Sequence, residues 1–72
     1  MSEHTEYLVI FEEGERSVGA YVPDLPGCVA VGENRAEVKQ LIREAIELHI
    51  ENLRENGESV PRPHSFVEVI AV

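Results

Sequence analysis

The sequence predicts an α+β domain: a small antiparallel or mixed sheet carrying one helix on one face, in the order β-β-β-α-β. Three observations lead there. Short segments rich in β-branched and aromatic residues, separated by Gly- and Pro-containing breaks, fill residues 6–32. A single stretch from about Arg35 to Asn56 then repeats apolar residues at helical spacing. A last segment, Ser65–Val72 (SFVEVIAV), returns to strand composition. At 72 residues, one domain spanning 1–72 is the only sensible count, with the polar Met1–Thr5 expected to fray.

Each element has its own reason. Glu6–Glu12 (EYLVIFE) reads as a strand with Tyr7, Val9 and Phe11 on one face and Leu8 and Ile10 on the other. Glu13-Gly14-Glu15 reads as a hairpin turn in which Gly14 can supply a positive φ. Arg16–Val22 is the return strand, with Gly19 marking a bulge or a close backbone approach. Pro23 and Pro26-Gly27 break the pairing and force a corner. Cys28–Val31 forms a third strand closed by Gly32. Asn34 is placed as an N-cap, with Glu37 three residues on in a capping-box spacing. Gly57 stands where a C′ glycine belongs, and Ser59–Pro63 is an extended connector.

Two surpluses point to a partner surface. The first and last strands are apolar on both faces, yet one helix can cover only one face of a sheet. The helix positions Val38, Leu41, Ile42, Ala45, Ile46, Leu48, Ile50 and Leu53 span roughly 200° of the wheel, wider than the ~100° stripe a simple core needs. A homodimer or higher homo-oligomer is the simplest expectation.

Charge narrows the function classes. Fourteen acids against 6 bases give a net charge of −8. Residues 1–33 hold 7 acids and one base, Arg16, for −6, whereas 34–72 hold 7 acids and 5 bases, for −2. The first half has no basic patch for phosphates, which disfavours direct nucleic-acid binding and suits a basic partner. The lone Cys28 and the lack of a secretory signal fit a reducing cytoplasm. The longest apolar run, Tyr7–Phe11, is far too short to span a bilayer.

Candidate chemistry is thin. Asp24 is the sole aspartate, whereas metal-dependent nucleases converge several carboxylates on their ions. Between Pro23 and Leu25-Pro26 it reads as a turn former bonding its own backbone two residues on. Cys28 lacks a sequence signature linking it to His4, His49 or His64 and reads as a small, half-buried strand residue. His49 lies within the apolar arc of the helix with no ligand-type residue three or four positions away, and reads as a core or interface histidine. No enzymatic activity, cofactor or metal is expected.

The run YVPDLPGCVAVGENRAEVKQLIREAIELHIENLRENGESVPRP resembles the HicB antitoxin family. The matching residues are Pro23, Asp24, Leu25, Pro26, Gly27 and Cys28, then Gly32, the helix near Arg35–Asn56, and Gly57 with Pro61 and Pro63. The likeness runs from Tyr7 to Val72. It implies a partial RNase H-like fold. It also implies a role: binding and neutralising a HicA-like toxin, a small basic ribonuclease that cleaves messenger RNA. Full-length members usually add a C-terminal DNA-binding module, which this sequence lacks, so direct DNA binding is not expected. Glu12, Glu13 and Asp24 are the expected partner contacts, with the PDLPGC stretch and Gly32 as structural motif. The alternative is a stand-alone regulatory or structural oligomer without a toxin; a residual nuclease is the least favoured reading.

Overall fold

The computed structural model describes residues 5–72 and is an α+β fold: three antiparallel strands followed by one helix. The strands are β1 (Ile10–Glu13), β2 (Val18–Tyr21) and β3 (Val29–Gly32), in the sheet order β1-β2-β3. The helix, α1, is Arg35–Glu55. Residues 1–4 of the expected frayed terminus lie outside the described residues.

The strands are shorter than their apolar runs, for a physical reason. The β1–β2 register pairs Ile10 with Tyr21, so its continuation would set Leu8 against Pro23. Proline brings no N–H to a ladder, and the last pair, Ile10–Tyr21, stands two residues before it. At the other end the ladder closes on Glu13 and Val18, and Gly14 N–H donates to the Ser17 carbonyl at 2.8 Å. The hairpin loop is therefore residues 14–17, and Gly14 uses no positive φ. Pairing through Gly19 is regular, against Glu12 on one side and Val31 on the other, so Gly19 marks no bulge.

The register fixes two faces. Phe11, Ala20 and Ala30 share one, together with buried Val18, and this face meets the helix. Ile10, Tyr21 and Val29 share the opposite face with Val31, which is 67% exposed. The core is small: Val18, Ala20, Val22, Leu25, Cys28, Val38 and Ile42 are buried, with Tyr7, Val9, Phe11, Ala30, Ala45 and Ile46 packed against them. Of the two faces the sequence gives the first strand, the structure turns Tyr7, Val9 and Phe11 toward the core.

The helix ends are chemically explicit. Asn34 Oδ1 accepts the Glu37 N–H at 2.8 Å, and Glu37 Oε1 accepts the Glu33 N–H at 2.6 Å. The reciprocal bond reaches one residue beyond the usual capping-box donor. At the far end the Glu58 N–H bonds the Leu53 carbonyl and the Gly57 N–H bonds the Arg54 carbonyl, with Gly57 at φ 72°. That is the Schellman arrangement, closing two carbonyls the helix cannot satisfy itself. Gly32 permits the helix to leave the sheet closely, since a Cβ there would stand 3.0 Å from Val38 Cγ2 and 2.5 Å from Glu37 Oε1.

The largest difference from expectation lies after the helix. Among the described residues, none from 58 to 72 belongs to a helix or a paired strand. The expected last strand has the composition but no neighbour in this chain. Strand composition is a preference for a pleated, half-buried setting, and without an adjacent edge it produces no ladder.

Candidate functional site

The PDLPGC stretch folds into two consecutive turns. The Leu25 N–H bonds the Val22 carbonyl at 3.1 Å, across Pro23 and Asp24. The Cys28 N–H bonds the Leu25 carbonyl at 3.0 Å, across Pro26 and Gly27, and Gly27 has φ 86°. Proline at the second position and a positive-φ glycine at the third are what a type II turn demands. The Val22 N–H closes the double turn on the Cys28 carbonyl at 3.1 Å. This geometry drives Leu25 into the core at 0% exposure.

The same geometry buries Asp24, which is 3% exposed. Its carboxylate does not bond the backbone two residues on, because that residue is Pro26 and has no N–H. It reaches across the molecule instead. Asp24 Oδ2 accepts the N–H groups of His64 at 2.9 Å and Ser65 at 3.0 Å, and Oδ1 accepts the Ser65 hydroxyl at 2.6 Å. His64 Nε2 lies 3.2 Å from Oδ1, an ion pair when the ring is protonated. The Ser65 hydroxyl bond, and then the His64 and Ser65 amides, hold the Asp24 carboxyl below its ordinary value despite the opposing effect of burial. Asp24 is thus a clamp on the segment after the helix.

A second pin lies beside it. The Tyr7 hydroxyl donates to the Pro61 carbonyl at 2.5 Å. Partial burial raises the Tyr7 phenol above its usual range, and the Asp24 charge adds to that. Beyond these pins the chain is unsupported: Phe66 is 82% exposed and Val69 96%, with Val67 and Ile70 similarly open.

The other predicted residues fall apart spatially. Glu12 and Glu13 are exposed on the hairpin side of the sheet, away from the double turn. Glu13, Glu15 and Glu33 line one shallow depression there with Arg35. The Glu13–Arg35 contact is 3.9 Å between well-exposed groups and contributes little to stability. Of the three expected partner contacts, two are solvent-facing and Asp24 is committed internally. Cys28 is fully rather than half buried and precedes β3; desolvation raises its thiol pKa, the opposite of what a nucleophile needs. His49 is half-buried on α1. Among the described residues, no group of three or more His, Cys, Asp or Glu could hold a metal ion, and no helix is long and apolar enough to cross a membrane. Sequence reasoning missed Ser65 and His64 as partners of Asp24; the one available signal was an aspartate whose local acceptor role Pro26 blocks.

Comparison with known proteins bears on what this arrangement is for. Residues 7–72 match the sequence profile of the HicB-like antitoxin of bacterial toxin–antitoxin systems. The chain is 38% identical over 63 residues to a UPF0150 protein of Thermoplasma acidophilum, covering 83% of this chain and 88% of that one. It is 36% identical over 67 residues to a UPF0150 protein of Synechocystis, covering 92% and 85%. It is also 31% identical over 64 residues to a 14.9 kDa protein from the rep-hol intergenic region of Haemophilus phage HP1. There the match covers 89% of this chain and 48% of the phage protein, so the chain spans about half its length. No solved structure matches the chain significantly.

Proposed function

Since the chain belongs to the HicB-like antitoxin family of bacterial toxin–antitoxin systems, we propose that it binds and neutralises a small basic, HicA-like toxin that cleaves messenger RNA. The observation that carries this reading is the acidic hairpin end. Glu12, Glu13, Glu15 and Glu33 are exposed, and Arg16 is the one base among residues 5–33. Such a surface steers a cationic protein into contact and can cover the positive face with which it holds RNA. Glu12 and Glu13 are the proposed contacts. Asp24 serves indirectly, by setting the path of residues 64 and 65.

The chain acts by binding, not by catalysis. Its sole aspartate is occupied as a hydrogen-bond acceptor, and its thiol is buried. A cytoplasmic setting suits that unpaired thiol. A partial RNase H-like architecture and self-association belong to the same reading, the latter supported by the exposed apolar residues after the helix.

The test is co-purification of the chain with a small basic partner at low and high salt, with RNA cleavage by the partner assayed in its presence and absence. The proposal expects a complex that weakens with salt and a silenced nuclease. Unimpeded cleavage at saturating concentrations of the chain would contradict it.

A further inference from the structure

The helix does not sit centrally on the sheet. It packs against β3 and β2. The helix-facing side of β1 is therefore flanked by a groove of about 760 Å³ whose apolar walls are Tyr7, Val9, Phe11, Ile42 and Ile46. This groove runs beside an edge of the sheet, because among the described residues β1 pairs only with β2. An unpaired edge with an apolar trough beside it is a site for one more strand.

The same molecule presents a segment with the matching properties. Residues 66–72 (FVEVIAV) carry one charge, Glu68, and are apolar at both alternating sets of positions. Added beside β1, one of the segment's faces would fill the groove, and the other would extend the patch that half-buried Ile10 shares with exposed Tyr21, Val29 and Val31 on the opposite side of the sheet. Yet the segment is exposed and unpaired in this chain, its root fixed by Asp24 and its side chains in solvent.

We infer that residues 66–72 form an exchange arm, which adds as a strand to the β1 edge of a second copy while that copy's arm adds to the first. The exchange is self-complementary: the grooved β1 edge and the arm are each supplied once per chain, so two copies satisfy both and the assembly closes at two-fold symmetry. The occupant is a second copy because the arm is apolar but for Glu68 and the groove, apolar along Tyr7, Val9, Phe11, Ile42 and Ile46, sets Glu6 and Glu47 against Lys39 and Arg43, so it carries no net negative charge that would select a basic protein. The acidic hairpin end remains available for such a partner. This inference does not depend on the antitoxin reading.

The arm has no ladder in the single chain, so Val69→Pro leaves the monomer fold intact but removes a donor that the exchanged strand needs. Mass measured by light scattering across a concentration series should show a dimer for the full chain. Val69→Pro should weaken self-association by about 30-fold or more, and Val69→Ile should not. In a mixed sample of isotope-labelled and unlabelled chains, contacts between the arm and Val9 or Phe11 should be intermolecular. A monomer at every concentration would overturn the inference, whether its arm is unprotected or folded back on its own β1. A dimer that survives Val69→Pro unchanged would overturn it too, as would an arm that is protected only when a basic protein is added.

Discussion

The double turn at 22–28 and the arm at 66–72 are both rich in apolar residues, and they end in opposite states. Leu25 is entirely buried, while Phe66 is 82% exposed. Apolar content does not separate them. The double turn closes on itself through three backbone hydrogen bonds, so its side chains have one orientation and the core can form around it. The arm closes on nothing in this chain. Between them stands Asp24, which belongs to the first region by sequence and fixes the start of the second by hydrogen bonding. Hydrophobic residues become core only where the backbone has somewhere to place its polar groups.

The comparison can be broken most forcefully from the buried side. Leu25→Ala should cost about 2–4 kcal/mol of unfolding free energy, because it empties a fully enclosed site. Phe66→Ser, measured by denaturant unfolding at low protein concentration, should stay within about 0.5 kcal/mol of the parent. Equal effects would mean that the arm is part of the monomer's core. Gly32→Ala comes next, at roughly 1–3 kcal/mol, since the added methyl crowds the buried Val38; its readout is the same unfolding curve.

The clamp is expected to respond to acid. The folded Asp24 carboxyl titrates below its ordinary value, so the unfolded chain binds that proton first. Its contribution is complete above the ordinary aspartate value of 3.8 and is lost as pH falls through the lower folded one. Stability should therefore decline at the acid end, and Asp24→Asn should remove that part of the pH dependence while speeding amide exchange at His64 and Ser65 by about tenfold. The smallest effect belongs to the hairpin. Glu13→Gln should change stability by no more than about 0.5 kcal/mol, since its ion pair is solvent-exposed. Reversing Glu12 and Glu13 to lysine should still weaken binding of a basic partner and flatten its salt dependence.

What was legible in the sequence was what is decided locally. Asn34 and Gly57 announce the helix ends because a cap needs only residues within a turn of itself, and the structure places both there. The PG turn is equally local. The alternation in residues 7–11 grouped Tyr7, Val9 and Phe11 on one face because a period of two needs no knowledge of the neighbouring strand; which face turns inward was not legible, since both are apolar. Asp24 was misread as a local turn former because its partners are 40 and 41 residues away, and no spacing rule links a carboxylate to a serine at that distance. Residues 65–72 read as a strand because composition reports what a segment prefers, not whether an edge is available to it. The acidic hairpin end was legible as charge, and its separation from Asp24 was not, because proximity in sequence says little about which end of a sheet a residue occupies.

The central claim is that one buried carboxylate joins a closed double turn to an arm that the single chain leaves open. Residue-resolved amide hydrogen exchange at a concentration where the chain is monomeric tests it most directly. The account predicts slow exchange at Leu25 and Cys28, intermediate exchange at His64 and Ser65, and exchange near the unprotected rate from Val67 to Val72. Protection across 67–72 in the monomer, or none at His64 and Ser65, would contradict it.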